Sequence, residues 1–97
     1  MKKCQNMTEV REEIDRVDRD IVQLLIERLG YIEQAGLIKT DRAVVRDEWR
    51  IEDVVSKVKA TCEAHNGNVE MIEDVYRFLI NWSIEHEFDV FDARDSK

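Results

Sequence analysis

The sequence predicts an all-α chain of three helices, one long and two shorter, that works as a homodimer. Three observations carry that expectation. There is no Pro in 97 residues and only three Gly, so the commonest helix breaker is missing. Apolar residues then recur alternately four and three apart: Val10, Ile14, Val17, Ile21, Leu24, with Tyr31, Ala35 and Ile38 beyond, which is a heptad seam. Finally, a helix from Met7 to Lys39 would be about 50 Å long. A compact globule of this size has a radius of gyration near ~13 Å. Such a helix outruns a monomer, and its seam needs a second chain.

Taken in order, Met1 to Gln5 is a polar lead, and Asn6 followed by Glu9 fits a capping box at the start of the first helix. The seam has one foreign member, Arg28, where an apolar residue belongs. Burying a guanidinium is costly unless an anion meets it. Arg28 therefore has a carboxylate partner within the protein or awaits an anionic ligand. Gly30 and Gly36 lie inside the helical pattern and cost about 1 kcal/mol each against Ala. They are weak spots or places of close helix approach. Thr40 to Val45 reads as a loop. A second helix runs from Asp47 to His65, with Ile51, Val54, Val55, Val58 and Cys62 on one face. Asn66-Gly67-Asn68 stops it, and Asn68 can cap a third helix from Val69 to Phe88. The inner line of that helix passes through Ile72, Val75 or Tyr76, Leu79 or Ile80, Trp82 or Ser83, and His86 or Glu87. The whole of 1–97 is expected to form one domain, frayed over 1–6 and 89–97.

A formal charge of −7 argues against general affinity for nucleic acid or an anionic membrane. Cys4 and Cys62 are too few for a disulfide framework and are expected to be free thiols in a reducing compartment, the cytoplasm. No apolar run suits a signal peptide or a membrane span. No P-loop, dinucleotide fingerprint, zinc-ligand spacing or nucleophile elbow occurs. His65 reads as a charge at a helix C-terminus, and His86 as a surface or half-buried residue.

What remains is a set of cations. Arg28 and Lys39 share one helical face about 16 Å apart, and their long side chains can lean together on a small dianion. Arg11 lies about 25 Å from Arg28 along the same helix, too far for one small ligand. If two long helices pair antiparallel, the partner copy's Arg11 comes near this chain's Arg28, and a composite site forms at the interface.

The stretch Val10-Arg11-Glu12-Glu13-Ile14-Asp15-Arg16-Val17-Asp18, then Leu24 to Arg28, then Lys39, resembles the all-helical chorismate mutases. So do Val45-Arg46-Asp47-Glu48-Trp49-Arg50 and the third helix with Ser83 and Glu87. The resemblance spans roughly Thr8 to Phe88. The segment Glu13 to Lys39, with Asp20 to Gln23 and Tyr31, is also similar to the isochorismate pyruvate lyases on the same fold. The resemblance implies an intertwined dimer with two equivalent sites for the dianion chorismate, converted to prephenate in aromatic amino acid biosynthesis. It implies that Arg11 from one chain and Arg28 from the other hold the substrate carboxylates. Lys39 would bind the ether oxygen and a carboxylate, and Glu87 would face the ether oxygen. Asp47 and Arg50 would line the pocket, with Asp47 near the ring hydroxyl or Lys39. Ser83 would contact a carboxylate. Lys39 and Glu87 are the expected catalytic residues, and no cofactor or metal is required. One departure stands out: relatives commonly carry Glu after the residue matching Arg50, to take the ring hydroxyl, and this chain has Ile51. Glu52, one position on, is turned about 100° around the helix. The departure leaves isochorismate pyruvate lyase as the alternative, with a non-enzymatic dimerisation module behind it.

Overall fold

The computed structural model describes residues 1–94. It contains α1 (Met7–Ile38), a short 3-10 turn (Arg42–Val44), α2 (Glu48–Ala64) and α3 (Val69–Arg94), with no strand among the described residues. The backbone divides into two units, Met1–Tyr31 and Ile32–Lys97, and α1 runs through the division.

The helix ends follow local chemistry. At the start of α1, the Glu9 N–H donates to Asn6 Oδ1 at 2.9 Å, and Glu9 Oε2 accepts from the Gln5 N–H at 2.9 Å. The reciprocal box is thus displaced by one residue on its return arm. The loop expected over Thr40–Val45 contains the 3-10 turn, which Asp41 caps by accepting from the Ala43 N–H. Asp47 caps α2 through the Arg50 N–H at 3.2 Å, and Asn68 caps α3 through the Met71 N–H at 3.0 Å. At the end of α2, Asn66 rather than a glycine takes the left-handed conformation, at φ 58°. Asn tolerates that region better than most residues. Gly67 is required for space instead, because a Cβ there would stand 2.7 Å from Cys62 Sγ.

In the first unit α1 keeps its apolar side open within one chain. Ile14, Val17, Ile21 and Leu24 are all exposed, Leu24 at 65% and its neighbour Ile26 at 66%. In the second unit α2 packs on α3. The core between them is Val45, Ile51, Val55, Ile80, Ile84 and Phe91, with Val54, Tyr76 and Phe88 packed against it. Outside that core, Arg77 on α3 donates to both oxygens of Glu52 on α2 at 3.1 and 3.2 Å, and Lys59 pairs with Glu73 at 3.0 Å.

The sequence places the end of α3 at Phe88 and a frayed tail over 89–97, and here the structure corrects it. The helix continues to Arg94, while residues 95–97 lie outside the described residues. The reason is packing. The four-three-four spacing of Ile80, Ile84, Glu87 and Phe91 carries the buried face of α3 one turn further, and Phe91 is buried. Among the described residues, no helix is long and apolar enough to cross a membrane. Cys4 and Cys62 are both free thiols.

Candidate active site

The site grows from the end of α1. Lys39 is the first residue past that helix, and its N–H still donates to the Ala35 carbonyl at 3.0 Å, so its backbone is held in helical register. Its ammonium donates to Glu87 Oε2 on α3 at 2.7 Å. Glu87 is only 4% exposed, whereas the Lys39 side chain is 31% exposed. A carboxylate this deep needs a cation or donors around it, and Lys39 supplies one. The approach depends on Gly36. A Cβ there would lie 3.1 Å from Val90 Cγ1, 3.2 Å from the Glu87 carbonyl oxygen and 3.3 Å from Glu87 Cγ. Of the two readings of Gly36, close approach is the one the structure bears out. A Cβ at Gly30 would meet open space.

Ser83, one helical turn before Glu87, is buried, and its hydroxyl donates to the Leu79 carbonyl at 2.7 Å. His86 lies beside this group rather than in it. It shares a 2.8 Å hydrogen bond with Glu33 and stacks on Trp82 at 5.4 Å between ring centres.

Two of the other expected site residues make their contacts within α2 and its cap. Asp47 serves as the N-cap of α2, and Lys39 pairs with Glu87 instead of Asp47. Arg50, exposed in the first turn of α2, donates to Asp53 Oδ2 at 2.7 Å. The hydrogen bonds from Lys57 and Arg50 hold the Asp53 carboxyl below the usual carboxylate range. Arg11, exposed, and Arg28, half-buried, both lie on the Met1–Tyr31 part of α1.

The question raised by Ile51 is answered by packing. Ile51 is 8% exposed and belongs to the α2–α3 core. Glu52, its acidic neighbour, is held by both terminal nitrogens of Arg77. Sequence reasoning missed the tail. Arg42 Nε and Nη2 donate to the two oxygens of Asp92 at 2.8 and 3.1 Å, and Arg94 Nη1 donates to the carbonyls of Gly36 and Leu37 at 3.1 and 2.9 Å. The spacing of Phe91 from Ile84 and Glu87 was the available signal. Among the described residues, no group of three or more His, Cys, Asp or Glu side chains could hold a metal ion.

A buried carboxyl paired with an ammonium, on an all-helical chain whose first helix carries spaced arginines, marks a class of helical proteins with charged groups gathered at a helix end. Residues 10–88 match the family described as chorismate mutase type II, and the chain belongs to that family. Two curated relatives resemble it. An isochorismate pyruvate lyase of Pseudomonas aeruginosa is 27% identical over 84 residues, 87% of this chain and 83% of the relative. A chorismate mutase of Methanocaldococcus jannaschii is 23% identical over 77 residues, 78% of each.

Proposed function

We propose that this chain is a chorismate mutase, an isomerase that rearranges chorismate to prephenate for aromatic amino acid biosynthesis. It acts in the cytoplasm as an intertwined homodimer with two composite sites. The observation that carries the reading is the Lys39–Glu87 pair, two chemically potent groups brought to 2.7 Å across 48 residues of sequence in a chain of this family. The open apolar side of α1 supports the dimer.

In the rearrangement one C–O bond breaks as one C–C bond forms, with no atom or proton lost. The protein must hold a flexible dianion in a compact, chair-like shape and stabilise negative charge that grows on the ether oxygen. Fixed donors in a water-poor pocket do this without reorganising, and only contacts stronger in the transition state raise the rate. Lys39 carries three N–H donors, of which Glu87 takes one, so the ammonium can serve the ether oxygen and a carboxylate. Glu87 faces the same oxygen. Arg11 of the partner copy, Arg28 and Arg50 bind and orient the carboxylates, Arg50 by leaving Asp53. Ser83 contacts a carboxylate by turning from Leu79. Asp47 lines the pocket with the oxygen not engaged in capping.

A second reading, isochorismate pyruvate lyase, is favoured by one specific observation. The position where relatives offer a hydroxyl acceptor is the core residue Ile51, and Glu52 is engaged by Arg77. Incubating the purified protein with chorismate and, separately, with isochorismate distinguishes the readings. Prephenate from chorismate is the expected result. Salicylate and pyruvate from isochorismate alone would favour the lyase, and no turnover of either would reject both.

A further inference from the structure

The two contacts made by the last turn of α3 bracket Lys39. Three residues before it, the Gly36 carbonyl, and two before it, the Leu37 carbonyl, accept from Arg94 Nη1. Three residues after it, Arg42 is seated on both oxygens of Asp92. These carbonyls belong to the C-terminal end of α1, where helix geometry leaves acceptors without intrahelical donors and where positive charge is favoured. Each guanidinium is also placed by an aromatic ring of α3: Arg94 lies 3.9 Å from the centre of the Phe91 ring, and Arg42 lies 4.5 Å from that of Phe88. Phe91 is itself part of the buried core. One end of α3 thus grips the chain on both sides of Lys39, while Glu87 lies two turns back on the same helix.

The need for such a grip follows from the unequal burial of the pair. Glu87 is fixed in the interior by α3, whereas Lys39 is partly exposed on a four-carbon stem at a helix end. Helix ends fray and long side chains lose entropy when held. Without a hold on its backbone, Lys39 has no reason to keep its ammonium at hydrogen-bond distance from Glu87.

We propose that the last turn of α3 is a clamp that sets the position of the Lys39 ammonium, with Arg94 and Asp92 as positioning residues for the reaction. Neither touches the substrate; both act through the backbone that carries Lys39. The inference rests on the reading of Lys39 as a catalytic group, and its test keeps the two separable. Full-length protein labelled with 15N is compared as wild type, Arg94→Leu, Arg94→Lys and Asp92→Asn. The Lys39 ammonium resonance, assigned by its loss in Lys39→Arg, reports its hydrogen bond to Glu87 whether or not there is turnover. The expected result is a protected ammonium signal in wild type that is lost in Arg94→Leu, weakened in Asp92→Asn and kept in Arg94→Lys, whose ammonium can still donate to the carbonyls. In step with it, kcat for chorismate falls in Arg94→Leu by about tenfold to a hundredfold, the scale of a small misplacement of a catalytic group, and returns in Arg94→Lys. Lower thermal stability in Arg94→Leu with an unchanged Lys39 signal and unchanged kcat would overturn the proposal, because Arg94 would then be only a structural cap. If wild type turns over neither substrate, the resonance alone decides for or against the clamp.

Discussion

Replacing Glu87 with Gln separates the charge of this group from its shape. In the structure Lys39 Nζ lies 2.7 Å from Glu87 Oε2, and Glu87 is buried. The amide oxygen of Gln can accept from the same ammonium. The change exchanges charged partners, whose hydrogen bonds contribute about 1.5–3 kcal/mol, for an ion–neutral contact weaker by about 1 kcal/mol. In a chain of this size that corresponds to a fall in Tm of about 4–8 °C. The partial exposure of Lys39 places the expected fall at the lower end. The kinetic effect has the opposite sense. An ionised carboxylate only accepts hydrogen bonds and repels charge growing on an ether oxygen, whereas its acid form donates. The Gln amide keeps a donor at this position, and one such donor contributes up to about 10²–10³ in kcat. Glu87→Gln should therefore retain activity, whereas Glu87→Ala, which neither accepts nor donates, should lose it. The assay is kcat for chorismate for the three proteins, each shown folded by scanning fluorimetry. A Glu87→Ala protein as active as wild type would refute the assignment of Glu87 to the ether oxygen.

Three further outcomes follow from the fold. Because the apolar side of α1 is open in one chain, the proposed dimer would couple folding to association, and Tm should rise with protein concentration; a stable helical monomer at low micromolar concentration would contradict the architecture. Ile51→Ala removes a core side chain and should destabilise by about 2–5 kcal/mol in urea, whereas a loss within error would show that the site is not packed as described. Asp92 lies below its ordinary 3.8 because of hydrogen bonds from Arg42, Asp53 below 3.8 because of Lys57 and Arg50, and Glu73 below 4.5 because of Lys59 and Arg77. A carboxyl depressed in the folded state contributes stability that is complete above its unfolded value and is lost as pH falls through the lower folded value. Tm should therefore drop on acidification through and below those ordinary values. Asp92→Asn should lessen the slope, and an identical slope would remove the Arg42–Asp92 pair from the account.

Much of this organisation was legible because it is local. Asn6 with Glu9, and Asn68 ahead of an apolar run, announce helix starts through side-chain chemistry that needs no tertiary context. The periodic line on α3 offered two choices at each step after Ile72, and burial selected Ile80, Ser83 and Glu87. Lys39 and Glu87 were named separately from their resemblance to family positions, but no spacing in the sequence could announce that they meet. That pairing depends on Gly36 allowing α1 against α3. The tail was misread because alternating charge there looked like solvent chemistry. Asp92 and Arg94 instead face cationic and carbonyl partners more than forty residues away in sequence. Asp47 shows a different limit: the same carboxylate suits a pocket or a helix cap, and only the backbone at Arg50 reveals the capping role.

The proposed function requires a site shared between two copies, with Arg11 of one and Arg28 of the other meeting the same substrate. Arg11→Ala and Arg28→Ala proteins should each be nearly inactive on chorismate. In a heterodimer of the two, one site carries both lesions and the other carries neither. Unfolding and refolding the two together in equal amounts should thus restore about one quarter of wild-type activity per chain, as random pairing of a two-fold dimer requires. A mixture as inactive as its parents, with heterodimers demonstrated by native mass spectrometry, would contradict the shared site.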